Sequence, residues 1–221
     1  MFDLLVTADG GLTTAGYIVT IVAALVLLAV ALFFAGKHSV KNKLSTKQLA
    51  FCAMALALGY VASYLRLYEL PFGGSVTAFS MLFIVLVGYW YGPSTGILIG
   101  FVYGIMQFLQ GPYILSLFQV CCDYFFAFAA LGISGFFAKK KHGLIIGYIA
   151  AVLARGVFHT IGGYLYWMEY MPENFPQSLA AVYPIVYNYS YLLLEGAVTV
   201  IILLIPSVKK AMEHVKQIAL S

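Results

Sequence analysis

Four ionisable side chains, Asp123, Arg155, His159 and Glu195, stand inside runs that are otherwise hydrocarbon. Charge within a bilayer is costly, so such groups face the protein interior, find partners and mark places where a ligand or proton is handled. In LARGVFHTIGGYLYW, residues 153–167, Arg155 and His159 are four apart and share a helix face, which Gly163, Tyr166 and Trp167 continue. On a later run Asn188, Tyr191, Glu195 and Thr199 form a polar stripe, with Tyr183 and Tyr187 near its outer end. Ser116, Gln119 and Asp123 make a third stripe, with Tyr113 above it and Tyr124 beside it; Tyr103, Gln107 and Gln110 make a fourth. Rings that stack, amides that orient and a few charges are what a pocket for a small organic ligand needs, and these stripes place it in the outer half of the membrane. At about 1.5 Å of rise per residue, Asp123, Arg155 and Glu195 fall at similar depth. Arg155 is therefore expected to pair with Glu195 or Asp123 and to brace the helices below the pocket.

The elements that must position these groups are membrane spans. Of 221 residues, 63% are hydrophobic and only 9% charged, against roughly 25% charged in soluble domains. At roughly 20 residues per crossing there is room for six or seven helices. The apolar runs are continuous, without the alternation of an outer-membrane barrel, so the fold class is an all-α integral membrane protein. Spans are expected at 15–35, 46–67, 77–91, 94–110, 113–137, 144–168 and 181–205, the pair around Gly92 and Pro93 being near the lower length limit. The first run follows Asp3 and Asp9 instead of a basic segment and is expected to be a retained helix. If the spans alternate, Lys37, Lys41, Lys43, Lys47, Lys139, Lys140, Lys141, Lys209, Lys210 and Lys216 share one side, and Glu69, Glu169 and Glu173 the other. The positive-inside rule makes the lysine side cytoplasmic. The N-terminus and the YELPFGGSVT and MEYMPENFPQ loops then face outward, and the C-terminus inward. The net charge of +4 is thereby a topology signal and not a nucleic-acid footprint.

Other features narrow the function. Cys52, Cys121 and Cys122 lie in apolar runs without metal-ligand spacing and read as packing residues. Gly92, Gly96, Gly100 and Gly104 recur every four residues, a ridge for close helix packing inside the protein or for docking another. Ala53 and Ala57 offer a second small-residue face near the cytoplasmic end of their span. The sequence has no P-loop motif, no G-x-S-x-G and no H-E-x-x-H, so ATP hydrolysis in the P-loop manner and the common hydrolase motifs are excluded. It has neither a clear internal repeat nor an acidic filter signal of a cation channel.

Four motifs, PFGGSVTAFSM (71–81), YGIMQFLQGPYILSLFQVCCDYFFAFAALG (103–132), ARGVFHTIGGYLYW (154–167) and YPIVYNYSYLLLEG (183–196), together resemble the thiamine-specific substrate-binding (S) component of energy-coupling factor vitamin transporters. The resemblance covers roughly residues 44–206 and implies a six-helix bundle that captures thiamine from outside. It also implies partners: a transmembrane coupling subunit and two cytoplasmic ATPases, which would supply the absent ATP chemistry, with no cofactor in this chain. Carried over by motif, it implies ligand contacts at His159 and Trp167, at Tyr183 and Asn188, and at Tyr113 and Tyr124 around Asp123. Ala53 and Ala57 would meet the coupling subunit, while Arg155 and Glu195 remain an expected structural ion pair. The expected organisation is an extra N-terminal helix and basic loop (1–43), the six-helix domain (44–206) and a cytoplasmic tail (207–221). The family pattern has a glutamate where this chain has Asp123, which keeps the carboxylate with about one methylene less reach. That difference keeps open an S component for another vitamin or a thiamine precursor; the alternative from another class is an intramembrane enzyme using His159 and Asp123. A scaffold without ligand is the third. The Gly-rich YELPFGGSVT loop is a candidate lid.

Overall fold

The computed structural model describes residues 44–221 except Pro112, together with isolated positions between 13 and 26. Apart from those positions, the expected first helix and the basic loop after it lie outside the described residues. Helix α1, Thr46–Tyr64, begins at a capping box: the Ser45 hydroxyl accepts from Gln48 N at 3.2 Å and the Gln48 side chain accepts from Ser45 N at 3.0 Å. The chain then forms an antiparallel hairpin, β1 (Arg66–Glu69) and β2 (Ser75–Thr77), around a tight turn at Pro71–Gly73. This hairpin occupies the stretch expected as a loop, and it ends α1 before the anticipated residue 67 and delays the next helix to Ser80.

Helix α2, Ser80–Tyr91, has 12 residues, eight of them buried. At about 18 Å it is shorter than a hydrocarbon core, and its burial explains why: it is surrounded by other helices instead of lipid. Met81, Ile84 and Val85 join Tyr103, Leu131 and Tyr148 in the main core. Gly92, at φ +91°, turns the chain directly into α3, Pro93–Gln110, where Pro93 fills a first-turn position that needs no N–H.

Helix α4, Leu117–Phe137, starts at the Ser116 cap, winds as a π-helix over Cys121–Phe126 and tightens to a 3₁₀-helix over Ala130–Phe137. The glycine ridge of α3 seats on it. A Cβ at Gly100 would stand 2.3 Å from Phe128 O, and one at Gly104 2.3 Å from Tyr124 O. The ridge therefore serves packing within the protein. Helix α5, Gly143–Tyr170, is α-helical to Gly162 and π-helical over Gly163–Trp167; α6, Gln177–Leu204, opens with a 3₁₀ turn before Tyr183. By length and composition α4, α5 and α6 are each sufficient to cross a membrane, while α1, α2 and α3 are shorter or less apolar and complete the bundle.

The expected tail is a further helix, α7, Pro206–Leu220. It folds back onto the lysine end of the bundle. Tyr91 donates to Ala219 O at 3.2 Å, Lys216 Nζ lies 4.7 Å from the Tyr89 ring centre, and Lys47 donates to Ser221 Oγ at 2.7 Å.

Candidate functional site

At the opposite end from α7, the hairpin and helices α1, α3, α4, α5 and α6 enclose a cavity of about 420 Å³, within the range of small-ligand pockets. Asp123, Tyr124, Tyr113, His159, Trp167, Tyr183 and Asn188 all line it. Each expected ligand contact is thus brought to one space, with Tyr113, 40% exposed, at its rim.

Two π-helical segments do the local aiming. Asp123 and Tyr124 stand on the π segment of α4, and Gly163 and Trp167 on that of α5. In an α-helix a step of four residues overshoots one turn by about 40°; the wider π turn removes the overshoot. Trp167 therefore stays on the cavity face of His159 and Gly163, whereas Tyr166 leaves it. Two glycines let the helices close in. A Cβ on Gly162 would meet Asp123 Oδ1 at 3.0 Å, and one on Gly163 would meet Pro184 Cβ at 2.7 Å.

The charged groups form a chain. Arg155 Nε donates to His159 Nε2 at 3.2 Å, which makes that nitrogen an acceptor and leaves Nδ1 to carry the proton toward Asp123 Oδ1, 3.1 Å away. Asp123 Oδ2 accepts from Gln119 Nε2 at 2.7 Å and from Trp167 Nε1 at 3.4 Å. Gln119 is itself fixed, since its other end accepts from Leu115 N at 3.0 Å. The carboxylate is nearly buried and lines the cavity, and its contacts leave one lone-pair position, on Oδ1, unused.

The expected Arg155–Glu195 ion pair does not form; neither Glu195 nor Asp123 lies within salt-bridge distance of Arg155. The guanidinium instead lies 4.1 Å from the centre of the Phe128 ring and is committed to His159. Glu195, 3% exposed, turns to the hairpin: Oε2 accepts from Thr77 N at 2.7 Å and Thr77 Oγ1 at 2.8 Å, and Oε1 from Met81 N at 3.5 Å. It is an acid at the start of α2, satisfied by orphan N–H groups and the positive end of the helix dipole.

The hairpin roofs the cavity and is held by α6. Tyr187 accepts from Gly74 N at 3.1 Å and donates to Pro71 O, and Gly74 has no room for a Cβ because Tyr191 and Tyr187 would lie 2.8 and 2.9 Å from it. Opposite, Tyr113 and Tyr170 flank Trp167 with ring centres 4.8 and 5.2 Å away. Sequence reasoning did not assign Ser63, Tyr170 or Thr77 to the site. Ser63 carried a signal only through its four-residue step from Gly59, which marks a close helix face; Tyr170 sits in a segment expected to be a loop, and Thr77 at the junction of an expected loop and span.

A helical membrane bundle whose end away from the lysines encloses a polar and aromatic cavity is the class that fold and site define. The profile of the family described as Thiamine transporter protein (Thia_YuaJ) matches residues 49–215. The chain is 31% identical over 154 residues to the thiamine transporter ThiT of Bacillus subtilis (strain 168), covering 61% of this chain and 76% of that protein. The solved structure of ThiT from Listeria monocytogenes superimposes with a TM-score of 0.59 at 24% identity, covering 71% of this chain and 92% of that one, and shares the fold. The chain belongs to the thiamine transporter protein family.

Proposed function

We propose that this chain captures thiamine from the outer side of the cytoplasmic membrane, as the substrate-binding subunit of an energy-coupling factor importer. The observation that carries the reading is the convergence of Asp123, His159, Trp167 and Asn188 on one cavity. Thiamine joins a cationic thiazolium to an aminopyrimidine. The first suits the Trp167, Tyr113 and Tyr170 rings, and the second, through its amino group, suits the free lone pair of Asp123 Oδ1 and the spare lone pair of Asn188 Oδ1. Gln119 steadies the shorter aspartate in place, which supports direct recognition without the family's longer glutamate.

The lysine end faces the cytoplasm in this reading, with the N-terminus outside and the C-terminus inside. Ala53 and Ala57 are exposed on α1, beside the outward-facing Met54, Leu58 and Val61, and suit a transmembrane coupling subunit. ATP would be used by that subunit's ATPase partners, with no cofactor in this chain. An enzymatic role for His159 is disfavoured by Arg155, which occupies the nitrogen a general base would use.

The test is Trp fluorescence of the purified chain titrated with thiamine and, separately, with its pyrimidine precursor, in the native sequence and in Asp123→Asn. Saturable quenching by thiamine that weakens in the variant is expected. Binding of the precursor alone would overturn thiamine as ligand, and silence to both would overturn capture.

A further inference from the structure

The cavity has a second polar wall, on α1 and α3, that the residues assigned above leave unused. Ser63 near the end of α1 and Gln107 and Gln110 near the end of α3 all line it. Ser63 is 4% exposed. Its hydroxyl lies 2.7 Å from Tyr60 O and 3.1 Å from Gln110 Oε1, and it accepts from Gln107 Nε2 at 2.9 Å. A serine hydroxyl has one proton, so it serves the Tyr60 carbonyl or the Gln110 oxygen, but not both. Gln110 Nε2 is buried with no partner. Turning the amide over does not cure the shortfall: its NH₂ would then donate to Ser63 and leave the oxygen orphaned. In either orientation the cluster is one hydrogen-bonding group short; the orphaned end is shielded, and the cavity-lining Gln110 side chain must turn to present it to a ligand.

A buried amide end without a partner is destabilising unless something else supplies one. As the amide stands the orphan is an NH₂ that wants an acceptor, and turned over it is an oxygen that wants a donor, so a group able to do either fits both orientations. It should also be uncharged. Ser63, Gln107 and Gln110 carry no charge, and the cation nearest in sequence, Arg66, also lines the cavity but is engaged with Glu69 at 2.5 Å. An alcohol meets both conditions, whereas a phosphate ester accepts but brings negative charge and, when fully ionised, cannot donate.

We propose that Ser63, Gln107 and Gln110 form a hydroxyl-binding subsite that selects ligands bearing an alcohol at the end remote from Asp123. The inference rests on the thiamine-capture reading, since thiamine carries such an alcohol on a two-carbon arm. Subsite and carboxylate then hold the ligand at both ends, and the hydroxyl completes a network the protein leaves incomplete.

The experiment compares the affinity of the full chain for thiamine, for the analogue with an ethyl in place of the hydroxyethyl arm, and for thiamine monophosphate. It is done in the native sequence, in Gln110→Leu and in Ser63→Ala, with thermal unfolding of each. The native chain is expected to prefer thiamine over the ethyl analogue by about tenfold or more. Gln110→Leu is expected to bind the two within about twofold of each other, at the native chain's affinity for the ethyl analogue. Its unfolding midpoint should not fall, because the orphaned amide is gone. Ser63→Ala, a smaller change at the hub of the same cluster, carries the test if the leucine variant does not fold. A hydroxyl preference that survives these substitutions, or that the native chain lacks, overturns the subsite while leaving thiamine capture standing. Tighter binding of the monophosphate than of thiamine overturns the assignment to a neutral alcohol. No response of the native chain to thiamine overturns the capture reading and the subsite with it.

Discussion

Gly74→Ala tests whether the hairpin is the closure of the site. The added methyl would sit 2.8 Å from Tyr191 Cδ1 and 2.9 Å from Tyr187 Oη. Tyr191 cannot yield easily, being 6% exposed and bonded to Asn188 Oδ1 at 3.1 Å. The hairpin must lift instead. Overpacking of this kind costs about 1–3 kcal/mol. The cost falls on the seated hairpin, so the closed state loses about 5- to 150-fold in population and thiamine release speeds up in proportion. Gly73→Ala is the internal comparison: its φ of +97° disfavours a side chain, but no atom lies within 4 Å of the site of the added methyl. Its cost, about 1 kcal/mol or more, is backbone strain within the turn and not a clash with Tyr187 and Tyr191, so release should be less affected than in Gly74→Ala. The assay is displacement of bound thiamine in a stopped-flow fluorimeter, read through Trp167. Release within about twofold of native in Gly74→Ala, at unchanged thermal stability, would refute the hairpin as a lid.

Glu195→Gln replaces one of two acceptor oxygens with a donor opposite the N–H of Met81 or the Thr77 pair; about 1–3 kcal/mol of stability should be lost, read as a lower midpoint in detergent, with looser thiamine binding because the base of the hairpin is released. Gly100→Ala would press a methyl 2.3 Å from a backbone oxygen of α4, which cannot rotate away, so at least 1–3 kcal/mol of destabilisation and poor recovery of folded protein are expected in size-exclusion profiles. Replacing Ala53 and Ala57 together by Trp should leave thiamine affinity unchanged and abolish uptake in cells that carry the coupling module; undiminished uptake would remove this face of α1 from the docking surface.

Much of the site was legible because polar side chains in apolar helices have few alternatives to the protein interior. His159, Asn188 and Asp123 announced the cavity simply by standing in hydrocarbon, and helical spacing grouped them. The lysine alternation located the helices for the same reason, since charge has to leave the membrane at the ends. What spacing could not supply was the detail of winding. The π turns at Cys121–Phe126 and Gly163–Trp167 arise from packing against neighbouring helices, and nothing in a 3.6-residue period distinguishes Trp167 from Tyr166. The Arg155–Glu195 pairing failed for a related reason. Depth along the membrane normal brought the two together, but the lateral positions of Phe128 and the Thr77 backbone decided where each group turned. The hairpin at Arg66–Thr77 was hidden because its turn is irregular and its strands are only four and three residues long.

The attachment of that hairpin gives the mouth of the cavity two edges of different make. Its anchors to Tyr187 and Glu195 lie on the same helix, eight residues apart, so the hairpin is tied to the back wall at two points. Across from it stand Tyr113, Trp167 and Tyr170, a rim of stacked rings whose packing is tilted instead of interlocked. In the capture reading, a molecule passing in or out would part the hairpin from the rim along this seam. The rings that would stack on an aromatic ligand inside are also the first surface it meets, so recognition begins at the threshold.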